Sequence, residues 1–279
     1  MSKKSADTSS RRRTVATAQS LAGERAPGGR VNDGELGSAS ETMDALFQGK
    51  LRFYQSEKGY RFSLDSILLA YFVSLHRSDR VADLGTGNGV IALILAYLDR
   101  SLKITAVEVQ REMANYAFRN VRLNRLEEKV QIVHGDVRRI EAVAEPESYD
   151  VVVCNPPYRK ATSGRVSPDE ERKIARHEVR ATLRDFLRAA AYLLPVKGRM
   201  SLIYPSIRCV DLLQAMRETR IEPKRLQMVH SFADAEASLV LTQGVKAGKS
   251  GIEVMPPLVV YQTDRSYTDE VARMLEGSR

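Results

Sequence analysis

The stretch Val81-Ala82-Asp83-Leu84-Gly85-Thr86-Gly87-Asn88-Gly89 decides how this chain is expected to fold. A short apolar strand leads into three alternate glycines, and the apolar segment Val90–Leu98 then predicts a helix. Glycine lets a ligand approach the backbone, and the start of a helix offers free N–H groups. The loop lacks the G-x-G-x-x-G spacing of dinucleotide sites, so its compact form favours a ligand lying across it. Asp83 adds a carboxylate that can bind a cationic amino group. An ordinary strand-to-helix turn is the alternative.

Two acidic residues follow the next two predicted strands. Glu108 lies at the tip of the strand 104–108, where a carboxylate can accept from both hydroxyls of a ribose. Asp136 lies just beyond the strand 130–134, where it can accept from an adenine amino group. Each residue alone is more often a solvated loop acid. Their order along the chain indicates one elongated crevice across the strand tips.

The tetrapeptide Asn155-Pro156-Pro157-Tyr158 follows the apolar run Val151-Val152-Val153-Cys154, which predicts a buried strand. Open α/β sheets bind their ligands at the carboxyl ends of strands. Two prolines remove two backbone donors, so we expect the carbonyls here to face a cleft. An amide, a rigid carbonyl and an aromatic face can together hold a planar group that carries –NH₂. The tetrapeptide therefore indicates chemistry on an amino nitrogen, with a proline-rich turn as the alternative.

Strands and helices alternate along most of the chain, which predicts an α/β fold with a mostly parallel, doubly wound sheet. The predicted strands are 81–84, 104–108, 130–134, 149–154 and 200–204, and the helices are 90–98, 112–123, 183–194 and 207–218. Residues 225–230, 238–243 and 258–262 predict three further strands. We expect the last two of these, linked through the Gly- and Lys-containing residues 246–251, to form an antiparallel hairpin that ends the sheet.

These motifs together resemble a known family. The glycine loop, Glu108, Asp136 and the tetrapeptide are similar to Rossmann-like methyltransferases that use S-adenosylmethionine and modify planar nitrogens. Three flanking stretches resemble the bacterial tRNA1(Val) adenine-N6 methyltransferases: Gly59-Tyr60-Arg61-Phe62-Ser63-Leu64-Asp65-Ser66-Ile67-Leu68-Leu69-Ala70, Ala175-Arg176-His177-Glu178 and Pro256-Pro257-Leu258-Val259-Val260-Tyr261. The resemblance covers about residues 45–278. It implies methylation of N6 of an adenine in RNA, namely adenine 37 in the anticodon loop of tRNA1(Val).

The resemblance assigns roles to the residues already singled out. S-Adenosylmethionine is expected to bind at Asp83, Gly85, Thr86, Gly87, Gly89, Glu108, Asp136 and Asn155. Catalysis is assigned to Asn155, Pro156 and Tyr158: two oxygen atoms accept hydrogen bonds from the amino group, and the tyrosine stacks on the base. Tyr158, Arg176 and His177 are expected to contact the substrate. A buried structural role is the alternative for Arg176 and His177.

Four other activities share part of this pattern. Release-factor methyltransferases, which modify a glutamine amide, also carry Asn-Pro-Pro-Tyr but usually have a folded helical N-terminal domain. Guanine-N2 rRNA methyltransferases more often have Phe at the position of Tyr158. A nicotinamide oxidoreductase shares the glycine loop and Glu108 but has no need of the tetrapeptide. A non-catalytic RNA-binding module does not explain a donor site and a tetrapeptide together.

Composition agrees with a cytoplasmic RNA-modifying enzyme. The chain has 279 residues and a net charge of +8, of which residues 1–30 carry +5. We expect a disordered basic tail over residues 1–43 and one methyltransferase domain over residues 44–279. Residues 159–188 carry a net charge of +4, which suits either contacts with phosphates or a solvated helix face. Two cysteines without metal spacing, four scattered histidines and short apolar runs predict no metal site and no membrane span. The expected partner is tRNA, bound by a monomer.

Overall fold

The computed structural model describes residues 29–30, 41–56, 63–157 and 181–278. Its main element is a large mixed sheet, in which five consecutive strands of the chain run parallel. These are β4 (Arg80–Leu84), β5 (Lys103–Glu108), β6 (Val130–His134), β7 (Val151–Cys154) and β8 (Arg199–Pro205). The sheet continues through β9 (Ile221–His230), β10 (Ala237–Lys246), β11 (Glu253–Val254) and β12 (Leu258–Val259).

The strand order of this sheet is β6-β5-β4-β7-β8-β10-β9, with β11 and β12 pairing on the outer side of β9. The strand β10 is antiparallel to both of its neighbours, so the sheet ends in an antiparallel hairpin. The predicted fold class, a mostly parallel doubly wound sheet with such a hairpin, is confirmed.

Helices cover both faces of the sheet. One face carries α1 (Leu64–Phe72), α2 (Val90–Leu98), α3 (Arg111–Leu123) and α6 (Asp269–Glu276), and the other carries α4 (Leu183–Leu193) and α5 (Cys209–Glu218). Successive side chains of a strand point to opposite faces. Within β7, accordingly, Val151 and Val153 join the first core, whereas Val152 and Cys154 join the second. This double burial explains why the strand is an uninterrupted apolar run. Among the described helices, none is long and apolar enough to cross a membrane.

The terminal hairpin is not the one expected from the sequence. The strands β9 and β10, ten residues each, pair along their length through a connection at residues 231–236. The strand β12, which was expected to be the partner of β10, instead pairs in parallel with β9. The prediction took the Gly- and Lys-containing residues 246–251 for the hairpin turn. The longer pairing prevails because it satisfies far more backbone groups than a two-residue strand could.

A second, smaller sheet precedes the main one. It consists of β1 (Gly29–Arg30), β2 (Glu41–Leu46) and β3 (Leu51–Ser56), all antiparallel. The sequence analysis did not predict these strands, and their pairing begins before residue 44, the start expected for the domain. The hairpin β2–β3 buries Leu46, Phe47, Leu51 and Phe53 in the first core.

Candidate active site

The carboxyl ends of the five parallel strands share one edge of the sheet. From β4 the chain moves outward through β5 to β6 and then returns to the opposite side of β4 as β7. A crevice forms where the strand order reverses in this way, and open α/β sheets bind their ligands there. The glycine loop follows β4, Glu108 ends β5 and Asn155 follows β7, so the topology brings these predicted residues to the same edge.

The glycine loop has the backbone that only glycine adopts easily. Gly85, Gly87 and Gly89 have φ values of 71°, 60° and 88°. The N–H groups of Gly85 and Thr86 donate to the Val107 carbonyl at 2.9 and 3.0 Å, which fastens the loop to β5. A Cβ atom at Gly85 would lie 3.1 Å from the ring of Phe186 in α4. The loop is therefore held closely on two sides.

Glu108 holds the same loop through its side chain. Its Oε2 accepts from the Gly87 N–H at 2.9 Å, and its Oε1 accepts from the Gln110 N–H at 2.8 Å. The residue is buried. Each carboxylate oxygen can accept a further hydrogen bond. Glu108 can consequently hold the loop and the hydroxyls of a ribose at the same time.

Asp83 is the most deeply buried acid of the site, with no exposed surface. Its Oδ2 accepts from the Thr86 hydroxyl at 2.6 Å, while its buried Oδ1 has no hydrogen-bond partner among the described residues. Burial raises the pKa of Asp83 to about 7, and the nearby charge of Glu108 acts in the same direction. A buried carboxylate oxygen without a partner fits a cationic amino group, such as that of the methionine part of S-adenosylmethionine.

Asp136 caps a short 3₁₀ helix, Val137–Ala142, and is paired with Arg138. The Arg138 Nε lies 3.0 and 2.9 Å from its two carboxylate oxygens, and these bonds lower the pKa of Asp136. Arg138 was not among the site residues predicted from the sequence. Any hydrogen-bond donor of a ligand that binds at Asp136 shares these oxygens with the guanidinium.

The first three residues of the tetrapeptide lie directly after β7, as predicted. Asn155 is half-buried, Pro156 is buried and Pro157 is exposed. Tyr158, Arg176 and His177 lie outside the described residues. The chain is described again from Ala181, and α4 then begins with a capping box. The Asp185 carboxylate accepts from the Thr182 N–H at 2.8 Å, and the Thr182 hydroxyl accepts from the Asp185 N–H at 3.4 Å.

Side-chain amides that the sequence analysis missed support the glycine loop from behind. Asn88 donates from Nδ2 to the Gln55 Oε1 at 3.0 Å, and Gln55 donates to Asp44 at 2.6 Å. Asn120 donates from Nδ2 to the carbonyl oxygens of Asn88 at 3.0 Å and Tyr54 at 3.1 Å. This buried network joins the hairpin β2–β3, the loop and α3.

Asn120 and Asn124 bind β3 in the same way. Asn120 Oδ1 accepts from the Tyr54 N–H at 2.7 Å, and Asn124 Oδ1 accepts from the Arg52 N–H at 2.9 Å. Both amides also donate to the carbonyl of the residue that they bind. Four residues of helix rise about 6 Å and two residues of strand about 6.8 Å, so the two repeats match. Two asparagines four apart, the second directly after the predicted helix 112–123, were the available signal.

Comparison with known proteins defines the class of this site. Residues 62–208 match the family model of the methyltransferase small domain. A protein from Agrobacterium tumefaciens, described as a predicted O-methyltransferase, has the same fold, with a TM-score of 0.63 at 23% identity over 76% of this chain and 96% of that one. The fold and the donor crevice are those of an S-adenosylmethionine-dependent methyltransferase.

Two curated relatives narrow the class. The tRNA1(Val) (adenine(37)-N6)-methyltransferase of Tolumonas auensis is 30% identical over 180 residues, which cover 61% of this chain and 73% of that protein. The enzyme of the same name from Porphyromonas gingivalis is 29% identical over 199 residues, covering 70% and 77% of the two chains. The chain belongs to the tRNA1(Val) (adenine37-N6)-methyltransferase family.

Proposed function

We propose that this protein transfers the methyl group of S-adenosylmethionine to N6 of adenine 37 in tRNA1(Val). The observation that carries the proposal is the position of Asn155 and Pro156 at the end of β7, beside the strand that bears the glycine loop. The choice of substrate, adenine 37 of tRNA1(Val), rests on the curated relatives in the family to which the chain belongs. We place the reaction in the cytoplasm and assign it to a monomer.

The donor is assigned to the buried side of the crevice. When bound, S-adenosylmethionine supplies an electrophilic methyl group on a positively charged sulfur. In this proposal the Glu108 carboxylate accepts from the ribose hydroxyls, and the orphaned Asp83 oxygen accepts from the amino group. Asp136 accepts from the adenine amino group beside Arg138. The glycines let the backbone approach the donor closely.

The acceptor chemistry is assigned to the tetrapeptide. The lone pair of an adenine amino group is delocalised into the ring, which makes the nitrogen a poor nucleophile. The Asn155 side-chain oxygen and the Pro156 carbonyl accept hydrogen bonds from its two N–H groups, so that the nitrogen becomes pyramidal and its lone pair can point at the methyl group. Both oxygens stabilise the positive charge that develops on the nitrogen. The extra proton leaves after transfer, and no strong base is needed.

Three residues outside the described part complete the proposed site. Tyr158 stacks on the target base and aligns it with the methyl group, and Arg176 and His177 contact the RNA. A base inside a duplex is out of reach of such a site. An unpaired base in an anticodon loop is already accessible.

The test uses labelled donor and two transcripts of tRNA1(Val), one natural and one with guanine in place of adenine 37. Digestion to nucleosides should give labelled N6-methyladenosine from the first transcript and no label from the second. Label in a glutamine of a co-incubated release factor, with none in tRNA, would instead establish the amide methyltransferase. Equal labelling of both transcripts would place the modification at another nucleotide.

A further inference from the structure

The segment that follows β8 lies at the same edge of the sheet as residues 155–157. The strands β7 and β8 are parallel neighbours, with Cys154 opposite Leu202. The strand β7 ends there, whereas β8 continues to Pro205. Because adjacent strands lie about 4.8 Å apart, the end of β8 passes alongside residues 155–157. The 3₁₀ turn Ser206–Arg208 and the helix α5 then begin at the same edge of the sheet.

Two apolar side chains are exposed at this point. Ile207 is 84% exposed and Val210 78% exposed, the highest values among the large apolar side chains of the described residues. They are three positions apart, so they lie on the same side of the helical segment. The core-facing side of α5 is a different one, formed by Leu212, Ala215 and Met216. We call Ile207, Arg208 and Val210 the β8 shelf.

The β8 shelf is fixed in place from both sides. The Ser206 hydroxyl donates to the Ala237 carbonyl of β10. Arg208 donates from Nη1 to the hydroxyl of the buried Tyr204 at 2.8 Å, and its guanidinium lies 5.3 Å from the centre of that ring. Asp211 lies 3.3 Å from the Arg208 Nε. Half of the Arg208 side chain nevertheless remains exposed.

We propose that the β8 shelf binds the unpaired nucleotides that flank the target adenine in the tRNA loop. This inference rests on the proposed function and names the surface that its substrate uses. A base flanking a splayed-out nucleotide has an apolar face, which suits Ile207 and Val210, and a phosphate, which suits the held guanidinium. Side chains that are already held in place lose little conformational entropy when a ligand binds to them.

A second copy of this chain is the other occupant to consider, and the shelf fits it less well. A stable protein interface buries about 800 Å² on each partner. Two apolar side chains with a half-exposed arginine offer much less. The position of the shelf beside residues 155–157 also favours the partner that must reach the tetrapeptide.

The experiment measures binding of tRNA1(Val) to the full chain by fluorescence anisotropy, with methylation measured in parallel. The test variant is Ile207→Ser with Val210→Ser. The matched control is Val196→Ser with Val254→Ser, which changes two other exposed valines; Val196 lies before β8, at the opposite edge of the sheet. We expect the Kd for tRNA to rise about tenfold in the test variant, because serine removes most of the apolar surface that a nucleotide base covers in this proposal. The control should change it less than twofold.

The salt dependence of the Kd for tRNA separates the apolar contribution to binding from the ionic one. The slope of log Kd against log salt concentration should be unchanged in the Ile207→Ser, Val210→Ser variant. In Arg208→Gln it should fall by about 0.7, the value for one phosphate contact with a single strand. Melting temperatures close to that of the natural protein would confirm that these surface changes leave the fold intact.

Each outcome decides the inference. An unchanged Kd in the test variant overturns it, and so does a natural protein that binds no tRNA. Dimers of the natural protein that the test variant turns into monomers, with tRNA affinity retained, assign the shelf to self-association instead. If the natural protein binds tRNA without methylating it, the proposed function fails, whereas a tenfold loss of affinity in the test variant still supports the shelf.

Discussion

The two halves of the crevice are built differently. On the proposed donor side, Asp83, Asn88 and Glu108 are almost completely buried. Asp83 accepts from the Thr86 hydroxyl, Glu108 accepts from the Gly87 N–H, and Asn88 donates to Gln55. On the acceptor side, Asn155 is half-buried, Pro157 is exposed, and Ile207 and Val210 project from the surface.

This difference matches the size of the two ligands. A small cationic donor gains most from enclosure, because buried carboxylates act more strongly where water is excluded. A tRNA molecule cannot enter an enclosed pocket, so its side of the crevice must be open and must use a surface. Changes on the donor side should therefore alter donor affinity, whereas changes on the acceptor side should alter turnover or tRNA affinity.

The largest expected effect belongs to the acceptor side. Asn155→Ala should lower the rate of methyl transfer by about 10²-fold or more, because the lost acceptor stabilises charge that develops only in the transition state. Asn155→Asp keeps an acceptor oxygen and should retain partial activity. Single-turnover rates on tRNA1(Val) measure both changes.

Calorimetry with the donor provides the control for Asn155. Donor affinity should change little in either variant if the residue acts on the acceptor. Methylation by Asn155→Ala at the natural rate would mean that the tetrapeptide is only a turn.

Glu108 provides the corresponding test of the donor side. Glu108→Ala should weaken donor binding at least tenfold, since the substitution removes both the proposed ribose contact and the support of the Gly87 N–H. Glu127→Ala, an exposed acid remote from the crevice, is the matched control. Equal donor affinity in the two variants, measured by calorimetry, would remove Glu108 from the site.

Asp83 should make donor binding depend on pH. Because burial raises its pKa to about 7, a proton competes with the cationic donor, and affinity should fall as the pH is lowered from 8 to 6. Asp83→Asn should bind donor weakly at both pH values. A natural protein with constant affinity across this range would contradict the assignment.

The raised pKa of Asp83 makes the folded protein less stable at high pH, although donor affinity is expected to be higher there. A carboxyl whose pKa is raised in the folded state contributes stability below its unfolded pKa and loses it as the pH rises through about 7. Asp83→Asn should therefore raise the melting temperature relative to the natural protein more at pH 8 than at pH 5. Thermal unfolding at the two pH values measures this difference.

The smallest effect on donor affinity should come from the asparagines that support the hairpin β2–β3 and the glycine loop. Asn120→Ala and Asn124→Ala each remove a pair of hydrogen bonds to β3, so both should lower stability by about 1–3 kcal/mol. Only Asn120 also binds the Asn88 carbonyl of the glycine loop. We expect donor affinity to fall about threefold in Asn120→Ala and to stay unchanged in Asn124→Ala. Equal donor affinity in the two variants would limit Asn120 to holding the hairpin.

The sequence predicted the part of the site that lies on consecutive parallel strands. Parallel strands have their carboxyl ends at the same edge of the sheet, so residues at strand ends such as Glu108 and Asn155 can be grouped without coordinates. It did not predict the hairpin β2–β3, where Gln55 occupies a buried position that alternation reserves for apolar residues. That glutamine is satisfied by Asp44 and Asn88, and such partners are known only once the packing is known.

Arg138 and β12 illustrate the same limit. The bond from Arg138 to Asp136 depends on the 3₁₀ helix that follows β6, and its two buried apolar residues, Val137 and Ile140, are too few to reveal a period in the sequence. The pairing of β12 depends on which distant strand, β9 or β10, it pairs with. The turn residues at 246–251 are compatible with either pairing, so they do not reveal the partner.

The position of β10 also governs the order in which the protein can be assembled during synthesis. The strand β9 is made before β10 but does not touch β8, because β10 is inserted between them. Until residues 237–246 leave the ribosome, the outer edge of β8 has no partner and β9 has no place in the sheet. The strands β7 and β8, which precede residues 155–157 and the β8 shelf, are made before β9 and β10, yet the sheet closes beside β8 only after β10 has been translated.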